Sequence, residues 1–419
     1  MMHRQVSKVV LSHPTGNANS RAVVNGLVNA GLLSEFHTCI ATFPGNVWGK
    51  LSRTPLGRDF GRRVFESSVR PFTHQSPFRE IGRLLAGKAN ATSLVRHESG
   101  PFCVDAVYRD LDRKVSRRVE PARCDAVYAY EDGALESFRV ANQKGVRCFY
   151  DLPIGYWRSA RKLQQAEMER WPEWAPTMPA FKDSDEKLAR KDEELRLADA
   201  IFVASSFTAS TLSDYPTDSL AKTYVIPYGF PVPGPERDYS NLGKRKLRLL
   251  YVGGLTQRKG LADVFSVADS LSDDVELTVV GRGAVNECAA LRNALAKHRW
   301  IPSLPHDQVL AEMRNQDVLL FPSSFEGFGL VITEAMSQGT PVITTDRTAG
   351  GDIIDHGSSG WIVPASNTLA LKSQVEELLK RPDQIANAGN ASRNLAAERP
   401  WECYGHELAS KVAELLSND

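Results

Sequence analysis

The chain lacks the features that would place it in several common classes of protein. Its 419 residues contain no apolar run of roughly 18 residues, and the opening MMHRQVSKVVLSHP has no apolar core of signal-peptide length. Six cysteines are scattered without a CxxC pair or other ligand spacing, which argues against a cysteine metal centre and for a reducing compartment. The formal net charge is only +1, so the composition predicts no general attraction to nucleic acid. We therefore expect a globular, cytoplasmic protein.

Positive charge is nevertheless concentrated near the start of the chain. Residues 1–123 contain 19 Lys and Arg against 9 Asp and Glu, and the stretch Lys50–Arg83 mixes arginines with aromatic residues. Such a stretch suits an anionic acceptor or peripheral contact with the inner membrane face. The alternative is a solvated loop whose arginine stems lie over the domain core. The lack of an evident amphipathic helical pattern favours the loop.

The order of strand and helix patterns predicts α/β architecture. Val6–Ser12 is a predicted strand followed by a Gly and Asn turn and a helix, and Ala126–Ala129 and Val146–Tyr150 repeat this rhythm. In parallel sheets, ligands bind beyond the carboxyl ends of the strands. Gly16, in the first turn, would let the backbone approach a phosphate or an acceptor. The length of the chain suits two such domains.

A basic turn follows a predicted strand in LLYVGGLTQRKGLADVF. Leu249–Val252 is the strand, Gly253 and Gly254 form the turn, and Arg258 and Lys259 come just before a helix. Cations at a helix N-terminus oppose the helix dipole, which makes sense if a phosphate binds there. The alternative is that both side chains extend into water.

Two glutamates flank a second strand-to-helix turn in FPSSFEGFGLVITEAMSQGTPVI. Val318–Phe321 is predicted as a buried strand and Leu330–Gln338 as a helix. Glu326 lies at the strand end and Glu334 about one helical turn into the helix, so their carboxylates can accept hydrogen bonds from sugar hydroxyls on either side of a diphosphate. The alternative is two solvated charges on an ordinary connection.

These motifs occur in the order found in a known family. GGLTQRKG, ELTVVGRG, VLLFPSSFEGFGLVITEAMSQGTPVIT and GGDIIDHGSSGWIVP resemble the C-terminal half of the retaining glycosyltransferases of family 4, across Leu247–Pro364. The resemblance implies the GT-B fold, in which two Rossmann-like, doubly wound parallel-sheet domains face a central cleft. The expected units are an acceptor domain at 1–230, a donor domain at 231–400, and a helix at 401–419 that crosses back to the first domain.

The resemblance also implies roles for single residues. Arg258 and Lys259 match the pair that binds the donor diphosphate, Glu326 the glutamate that meets the donor sugar, and Glu334 the one that holds the ribose. The remaining donor-side positions are those expected to act through the backbone or near the base: Gly16, Gly254, Gly281, Gly283, Trp300, Ile301, Phe328, Gly329, Leu330 and Val331.

The expected activity is transfer of a hexose-type sugar from a nucleoside diphosphate sugar to a hydroxyl of a glycan, lipid or small molecule. A UDP- or GDP-sugar is favoured, and no metal or other cofactor is required because cationic side chains can stabilise the leaving phosphate. Glu326, Asp151, Arg258 and Lys259 are the candidate catalytic residues. The alternatives are a nucleotide-sugar epimerase or hydrolase, and a non-catalytic protein that binds sugar nucleotides.

The acceptor side departs from the family pattern. Many relatives carry a histidine where Asp151 aligns, so Asp151 could take the acceptor proton, orient a hydroxyl, or cap a helix before Pro153. Two Asp-x-Asp triplets, Asp110–Asp112 and Asp183–Asp185, lie in charged segments without a preceding strand. We interpret both as solvated helix faces. The charged segment Arg158–Asp199 is predicted as helices around a surface excursion.

Overall fold

The computed structural model describes residues 7–52, 54, 60–61, 63–178, 181–217 and 219–417, and within them two parallel sheets form. The strands are β1 Val9–Ser12, β2 Leu33–Thr38, β3 Thr73–Gln75, β4 Ala126–Tyr130, β5 Arg147–Leu152, β6 Ala200–Val203, β7 Thr223–Val225, β8 Leu247–Val252, β9 Val275–Val280, β10 Arg299–Ile301, β11 Val318–Phe321, β12 Val342–Thr345 and β13 Gly360–Val363. The first sheet has the order β3-β2-β1-β4-β5-β6-β7 and the second β10-β9-β8-β11-β12-β13. Val6, predicted in the first strand, lies outside the described residues.

Helices cover both faces of each sheet. They are α1 Ala18–Asn29, α2 Val47–Leu51, α3 Phe78–Lys88, α4 Val104–Ser116, α5 Leu135–Lys144, α6 Trp157–Arg170, α7 Asp185–Arg196, α8 Ser206–Thr211, α9 Leu261–Ser270, α10 Ala289–Leu295, α11 His306–Arg314, α12 Leu330–Ser337, α13 Gly350–Ile353, α14 Thr368–Lys380, α15 Pro382–Glu398 and α16 Trp401–Ser417. The predicted two-domain parallel α/β fold is confirmed. None of the described helices has the length and apolar character needed to cross a bilayer.

Each sheet is buried on both faces, which explains its nearly continuous apolar strands. Along β1, Val9 and Leu11 join the core on one face and Val10 the core on the other. Leu249 and Leu250 divide in the same way between the two cores of the second sheet. Each fully buried aliphatic side chain contributes about 1.5–3 kcal/mol, so these strands fix the pairing register.

The C-terminal helix α16 packs against α1 of the first domain. A Cβ on Gly405 would lie 2.3 Å from the carbonyl oxygen of Ala22, so small residues permit the close crossing of the two helices. At the far end of α16, Arg147 Nη1 donates to the carbonyl oxygen of Leu415 at 2.6 Å. The chain therefore returns to its first domain after completing the second.

The start of α5 is capped by two buried carboxylates from other helices. Asp112 of α4 accepts from the backbone N–H groups of Glu136 and Ser137, and Glu194 of α7 accepts from those of Ala134 and Leu135. The prediction that Asp110–Asp112 forms a solvated helix face is therefore wrong for Asp112, which is 3% exposed. Carboxylates stabilise a helix N-terminus by satisfying free N–H groups.

The basic, aromatic stretch Lys50–Arg83 is more than a solvated loop. Residues 53, 55–59 and 62 lie outside the described residues, but Phe65 belongs to the domain core, and Arg63 forms an ion pair with Glu80 in which both side chains are buried. Part of the arginine charge is therefore neutralised inside the domain. The helix α3 also begins within this stretch, where the sequence predicted none, and it exposes Phe78.

Candidate active site

The basic turn between β8 and α9 is shaped by a close approach of two loops. Gly260 has a φ of +71°, and a Cβ there would lie 2.1 Å from the carbonyl oxygen of Pro322. The hydroxyls of Ser323 and Ser324 donate to the Arg258 carbonyl oxygen at 3.1 and 3.0 Å. The turn that carries Arg258 and Lys259 is thereby fastened to the loop that carries Glu326.

Both cations meet Glu326 at the carboxyl ends of neighbouring strands. Lys259 Nζ lies 3.2 Å and Arg258 Nη1 3.3 Å from Glu326 Oε2. Arg258 Nη1 also donates to the carbonyl oxygen of Phe325 at 2.5 Å, and Lys259 Nζ lies 5.0 Å from the ring centre of Phe321. Because the three charged side chains are only 14–19% exposed, their interactions are weakly screened. The structure thus brings together three of the predicted site residues.

Glu334 joins this cluster from the second turn of α12. Burial raises the pKa of its carboxyl above the ordinary value, while His306 and Lys259 act in the opposite direction. His306 Nδ1 lies 3.8 Å from Glu334 Oε1. Lys259 is therefore close to both glutamates. The sequence reasoning missed His306, since a single histidine after a proline carries no motif.

The N-terminus of α12 lies beside Glu326, since a Cβ on its N-cap Gly329 would be 3.6 Å from Glu326 Cγ. Gly329 has a φ of +88° and precedes Leu330, the first residue of the helix, which is 38% exposed. The first-turn N–H groups of a helix lack intrahelical partners and favour an anion. Phe328 instead points into the core, with its ring centre 4.7 Å from that of Tyr228, and Val331 is half-buried.

The loop after β9 lies against the basic turn. A Cβ on Gly281 would lie 1.8 Å from the carbonyl oxygen of Gly253, next to Gly254, and Gly283 forms a bridge with Leu255. The Gly281 N–H donates to the Ile301 carbonyl, and Trp300 Nε1 donates to the Gly281 carbonyl, both at 3.0 Å. The residues predicted to lie near the base form one connected edge of the second domain.

Gly16 lies in the other domain, in the loop between β1 and α1. Its close neighbours are the ring of Phe65, 2.9 Å from a built Cβ, and the backbone of Arg63. Its part in donor binding stays a prediction.

The two domains touch through the loop between β11 and α12. A Cβ on Gly327 would lie 2.1 Å from the carbonyl oxygen of Pro153 and 2.8 Å from the Cα of Ile154. Ser205 and Thr208 of the first domain donate their hydroxyl hydrogens to the Gly327 carbonyl oxygen at 2.5 and 2.9 Å. The residue next to Glu326 is therefore held by the opposite domain.

A second bridge between the domains runs through α6 and the 3-10 turn Pro172–Thr177. Gln257 directly precedes Arg258. Its backbone N–H donates to Thr177 Oγ1 at 3.0 Å, and its Nε2 donates to Glu167 Oε2 at 2.8 Å. Trp174 stacks on Phe265 of α9, with the two ring centres 5.7 Å apart. The prediction that Arg158–Asp199 forms helices around a surface loop is therefore wrong for Pro172–Thr177. These residues pack against the second domain and contact the basic turn. The two tryptophans of WPEWAP are the feature of the sequence that could have indicated this packing.

Asp151 does not lie at the strand end as predicted. It lies within β5, is 3% exposed, and accepts a hydrogen bond from the Tyr128 hydroxyl at 2.7 Å. Tyr130, Tyr228 and Tyr404 surround it, and burial raises its pKa to about 7. The strand ends two residues later than predicted, at Leu152 instead of Tyr150. Because Asp151 is part of the strand, it does not cap a helix before Pro153. The carboxyl therefore faces the tyrosine cluster, and its part in the acceptor chemistry stays a prediction.

Replacing Asp151 by asparagine is expected to stabilise the protein at pH 8 by a few kcal/mol, since each pKa unit corresponds to about 1.4 kcal/mol. Between an unfolded pKa near 3.8 and a folded pKa of about 7, the folded state keeps a proton that the unfolded state has lost. Stability of the natural chain therefore falls as pH rises through this window, whereas asparagine titrates in neither state. Urea unfolding at pH 4 and pH 8 measures the difference.

The matched control is Asp273→Asn, because Asp273 is exposed. A gain for Asp151→Asn that is the same at both pH values would contradict a titrating carboxyl at this position.

Two facing parallel-sheet domains, with charged side chains at the carboxyl ends of the second, define the GT-B architecture. Sucrose-phosphate synthase from Thermosynechococcus elongatus has a similar solved structure, with a TM-score of 0.63 and 17% identity over 99% of this chain and 100% of that one. Anabaena Alr3699/HepE in complex with UDP gives a TM-score of 0.61 and 13% identity over 98% and 100%. Likeness at this identity establishes the fold.

Residues 235–395 match the family Glycosyl transferases group 1. Over 148 residues the chain is 32% identical to a phosphatidyl-myo-inositol mannosyltransferase of Mycobacterium leprae, covering 34% of this chain and 39% of that protein. It is 28% identical over 162 residues to a glycogen synthase of Mycobacterium tuberculosis, covering 37% and 39%. The chain thus spans about two-fifths of the length of these curated relatives, and the family match at residues 235–395 contains the site around Glu326.

Proposed function

We propose that this protein is a glycosyltransferase that moves a hexose-type sugar from a nucleoside diphosphate sugar to an acceptor hydroxyl. The observation that carries the proposal is the convergence of Arg258 and Lys259 on Glu326, beside Glu334 and the N-terminus of α12. Oxyanions bind at such a helix end, and sugar hydroxyls bind to carboxylates. The family match over residues 235–395 and the UDP bound by a protein of the same fold support this assignment.

Donor binding would replace the internal ion pairs of the site. Arg258 and Lys259 share the carboxylate of Glu326. When a diphosphate arrives, the guanidinium can fork onto two phosphate oxygens and the ammonium can act as a point charge. Glu326 is then released to accept hydrogen bonds from the sugar, while Glu334 accepts from the ribose. The site therefore changes partners without exposing an unpaired buried charge.

The transfer step needs charge stabilisation at the departing phosphate. As the bond from the anomeric carbon to the phosphate oxygen breaks, negative charge grows on that oxygen. Arg258, Lys259 and the first-turn N–H groups of α12 would stabilise this charge, and preorganised donors of this kind usually make the largest single contribution to lowering the barrier. This leaves no step that requires a metal ion or other cofactor.

The acceptor hydroxyl must lose a proton while it attacks. Because Asp151 is enclosed by tyrosines, we assign the proton to the departing phosphate, which implies attack on the same face and retention of the anomeric configuration. The acceptor would approach from the first domain, opposite the loop around Gly327. A glycan, a lipid-linked sugar or a small molecule suits this side.

The function is tested first by donor binding and then by product analysis. Thermal shifts with UDP-, GDP- and ADP-sugars identify the donor, and we expect a UDP- or GDP-sugar to give the largest shift. Proton NMR then follows the donor and product with a panel of acceptor sugars. Retained configuration in a product that forms only with acceptor supports the proposal. An inverted product contradicts retention, and equal donor consumption without acceptor indicates an epimerase or a hydrolase.

Replacing Glu326 by glutamine is expected to reduce transfer at least tenfold, about the effect of one lost charge-assisted contact at the reacting sugar. Binding of the free nucleoside diphosphate should be equal or tighter, because Arg258 and Lys259 lose a competing carboxylate. Calorimetry with UDP or GDP and initial-rate kinetics measure the two effects separately. The control is Glu276→Gln on the outer side of β9, whose side chain is 55% exposed. Parallel loss of nucleotide binding and transfer would contradict this role.

A further inference from the structure

Three side chains with metal-ligating atoms meet at the edge of the first sheet. Glu35 and His37 belong to β2, two residues apart and therefore on the same face of the strand. His74 of β3 is the register partner of His37 on the neighbouring strand. The two imidazole rings lie nearly parallel, with centres 4.9 Å apart and an angle of 16° between their planes. Strand pairing itself thus holds the three side chains together.

The distances between the ligand atoms suit one small ion. Glu35 Oε2 lies 2.8 Å from His37 Nε2 and 3.8 Å from His74 Nε2, and one ligating atom from each residue lies within 4.8 Å of the others. Ligands held about 2.0–2.2 Å from a tetrahedral zinc ion lie roughly 3.3–3.6 Å apart. The observed separations fall on either side of this value, so small side-chain rotations would close the set around an ion.

The surroundings of Glu35 resemble the outer shell of a metal site. Arg118 Nη2 donates to Glu35 Oε1 at 2.6 Å, and Arg118 Nε donates to Glu35 Oε2 at 3.1 Å. Partners of this kind fix the orientation of a ligating carboxylate. The arginine charge opposes a dication, but its side chain is 40% exposed and is screened by solvent.

Access to the cluster is open on one side. His37 is 5% exposed, whereas the side chain of His74 is 47% exposed. An ion can therefore enter from the His74 side, where solvent water can complete a tetrahedral set of two nitrogens and one oxygen.

We propose that Glu35, His37 and His74 bind a divalent transition-metal ion of the Zn²⁺ class that links the edge strand β3 to β2. The imidazole and carboxylate ligands favour zinc over magnesium or calcium, which prefer sets of oxygen ligands. Strand β3 is only three residues long and forms few backbone hydrogen bonds with β2. A bound ion would therefore strengthen the contact between these two strands. The site lies in the first sheet and does not depend on the proposed glycosyl transfer.

The test uses the full chain, free of any affinity tag and treated with EDTA, with Zn²⁺ and Co²⁺ as probes. We expect calorimetry to detect one Zn²⁺ per chain with a Kd of about 10 µM or tighter, an affinity below that of the structural zinc sites of zinc fingers. Co²⁺ should give the visible absorption of a tetrahedral nitrogen and oxygen site, and Zn²⁺ should raise the melting temperature.

His74→Gln should weaken Zn²⁺ binding at least tenfold and remove the Co²⁺ absorption, whereas His406→Gln on the exposed side of α16 should leave both unchanged. The half-exposed position of His74 lets the variant fold, which circular dichroism checks, and Glu35→Gln provides a second variant. Absence of Zn²⁺ binding to the natural chain, or equal binding by His74→Gln, would overturn the proposal.

Discussion

Replacing Lys259 by alanine is expected to lower kcat/KM for sugar transfer by about 10²- to 10³-fold, the usual cost of removing one preorganised donor at a developing oxyanion. Lys259 Nζ is 3.2 Å from Glu326 Oε2 and also opposes the effect of burial on the pKa of Glu334. Its removal therefore takes away a phosphate contact and leaves two carboxylates near the diphosphate without their shared cation. Repulsion from these carboxylates adds to the loss.

Initial-rate kinetics with the donor identified by thermal shift measures this effect. The control is Lys162→Ala, because the side chain of Lys162 is 75% exposed on α6. We expect both kcat and the affinity for free nucleoside diphosphate to fall for Lys259→Ala and neither to change for Lys162→Ala. Unchanged kcat/KM in the Lys259 variant would show that the diphosphate binds elsewhere and would contradict the assigned site.

The parts of the fold that depend on local patterns could be predicted from the sequence. The strand Val318–Phe321 has the predicted bounds, and α12 begins at Leu330 as predicted and ends at Ser337, one residue early. Apolar runs and glycines at turns reflect burial and backbone conformation, which act within a few residues. For the same reason the sequence indicated which side chains follow β8 and β11. Their convergence then follows from the parallel pairing of those strands.

Interactions between distant segments were not predictable in this way. Glu194 caps α5 from 60 residues away, and Gln257 contacts Glu167 from 90 residues away. Both side chains are charged or polar groups that a local pattern assigns to the surface. Asp151 illustrates the same difficulty. Because β5 extends two residues beyond its predicted end, Asp151 lies within the strand, and its side chain contacts a cluster of tyrosines instead of facing the crevice. Buried polar groups of this kind are determined by packing between elements and need the three-dimensional structure.

The close contact between the domains at Gly327 predicts that even a small substitution at this residue lowers the activity strongly. Replacing Gly327 by alanine is expected to reduce kcat/KM about 10²-fold, because a displacement of roughly 1 Å in an active site can cost that much. The added Cβ would lie 2.1 Å from the Pro153 carbonyl oxygen and 2.8 Å from the Ile154 Cα. Both neighbours are backbone atoms, so the clash cannot be relieved by rotating a side chain. The two loops must separate, and Glu326 moves with its loop.

Kinetics and small-angle X-ray scattering together distinguish displacement from unfolding. The variant should remain folded and show a slightly larger radius of gyration, since each domain keeps its own core. The control is Gly87→Ala in α3, where an added Cβ has open space and alanine favours the helix by about 0.5–1 kcal/mol. If Gly327→Ala transferred sugar at the natural rate, the closed contact between the domains would not be the arrangement in which the reaction occurs. Lost activity with unchanged scattering would instead place the damage in the loop itself, through the hydroxyl contacts of Ser205 and Thr208.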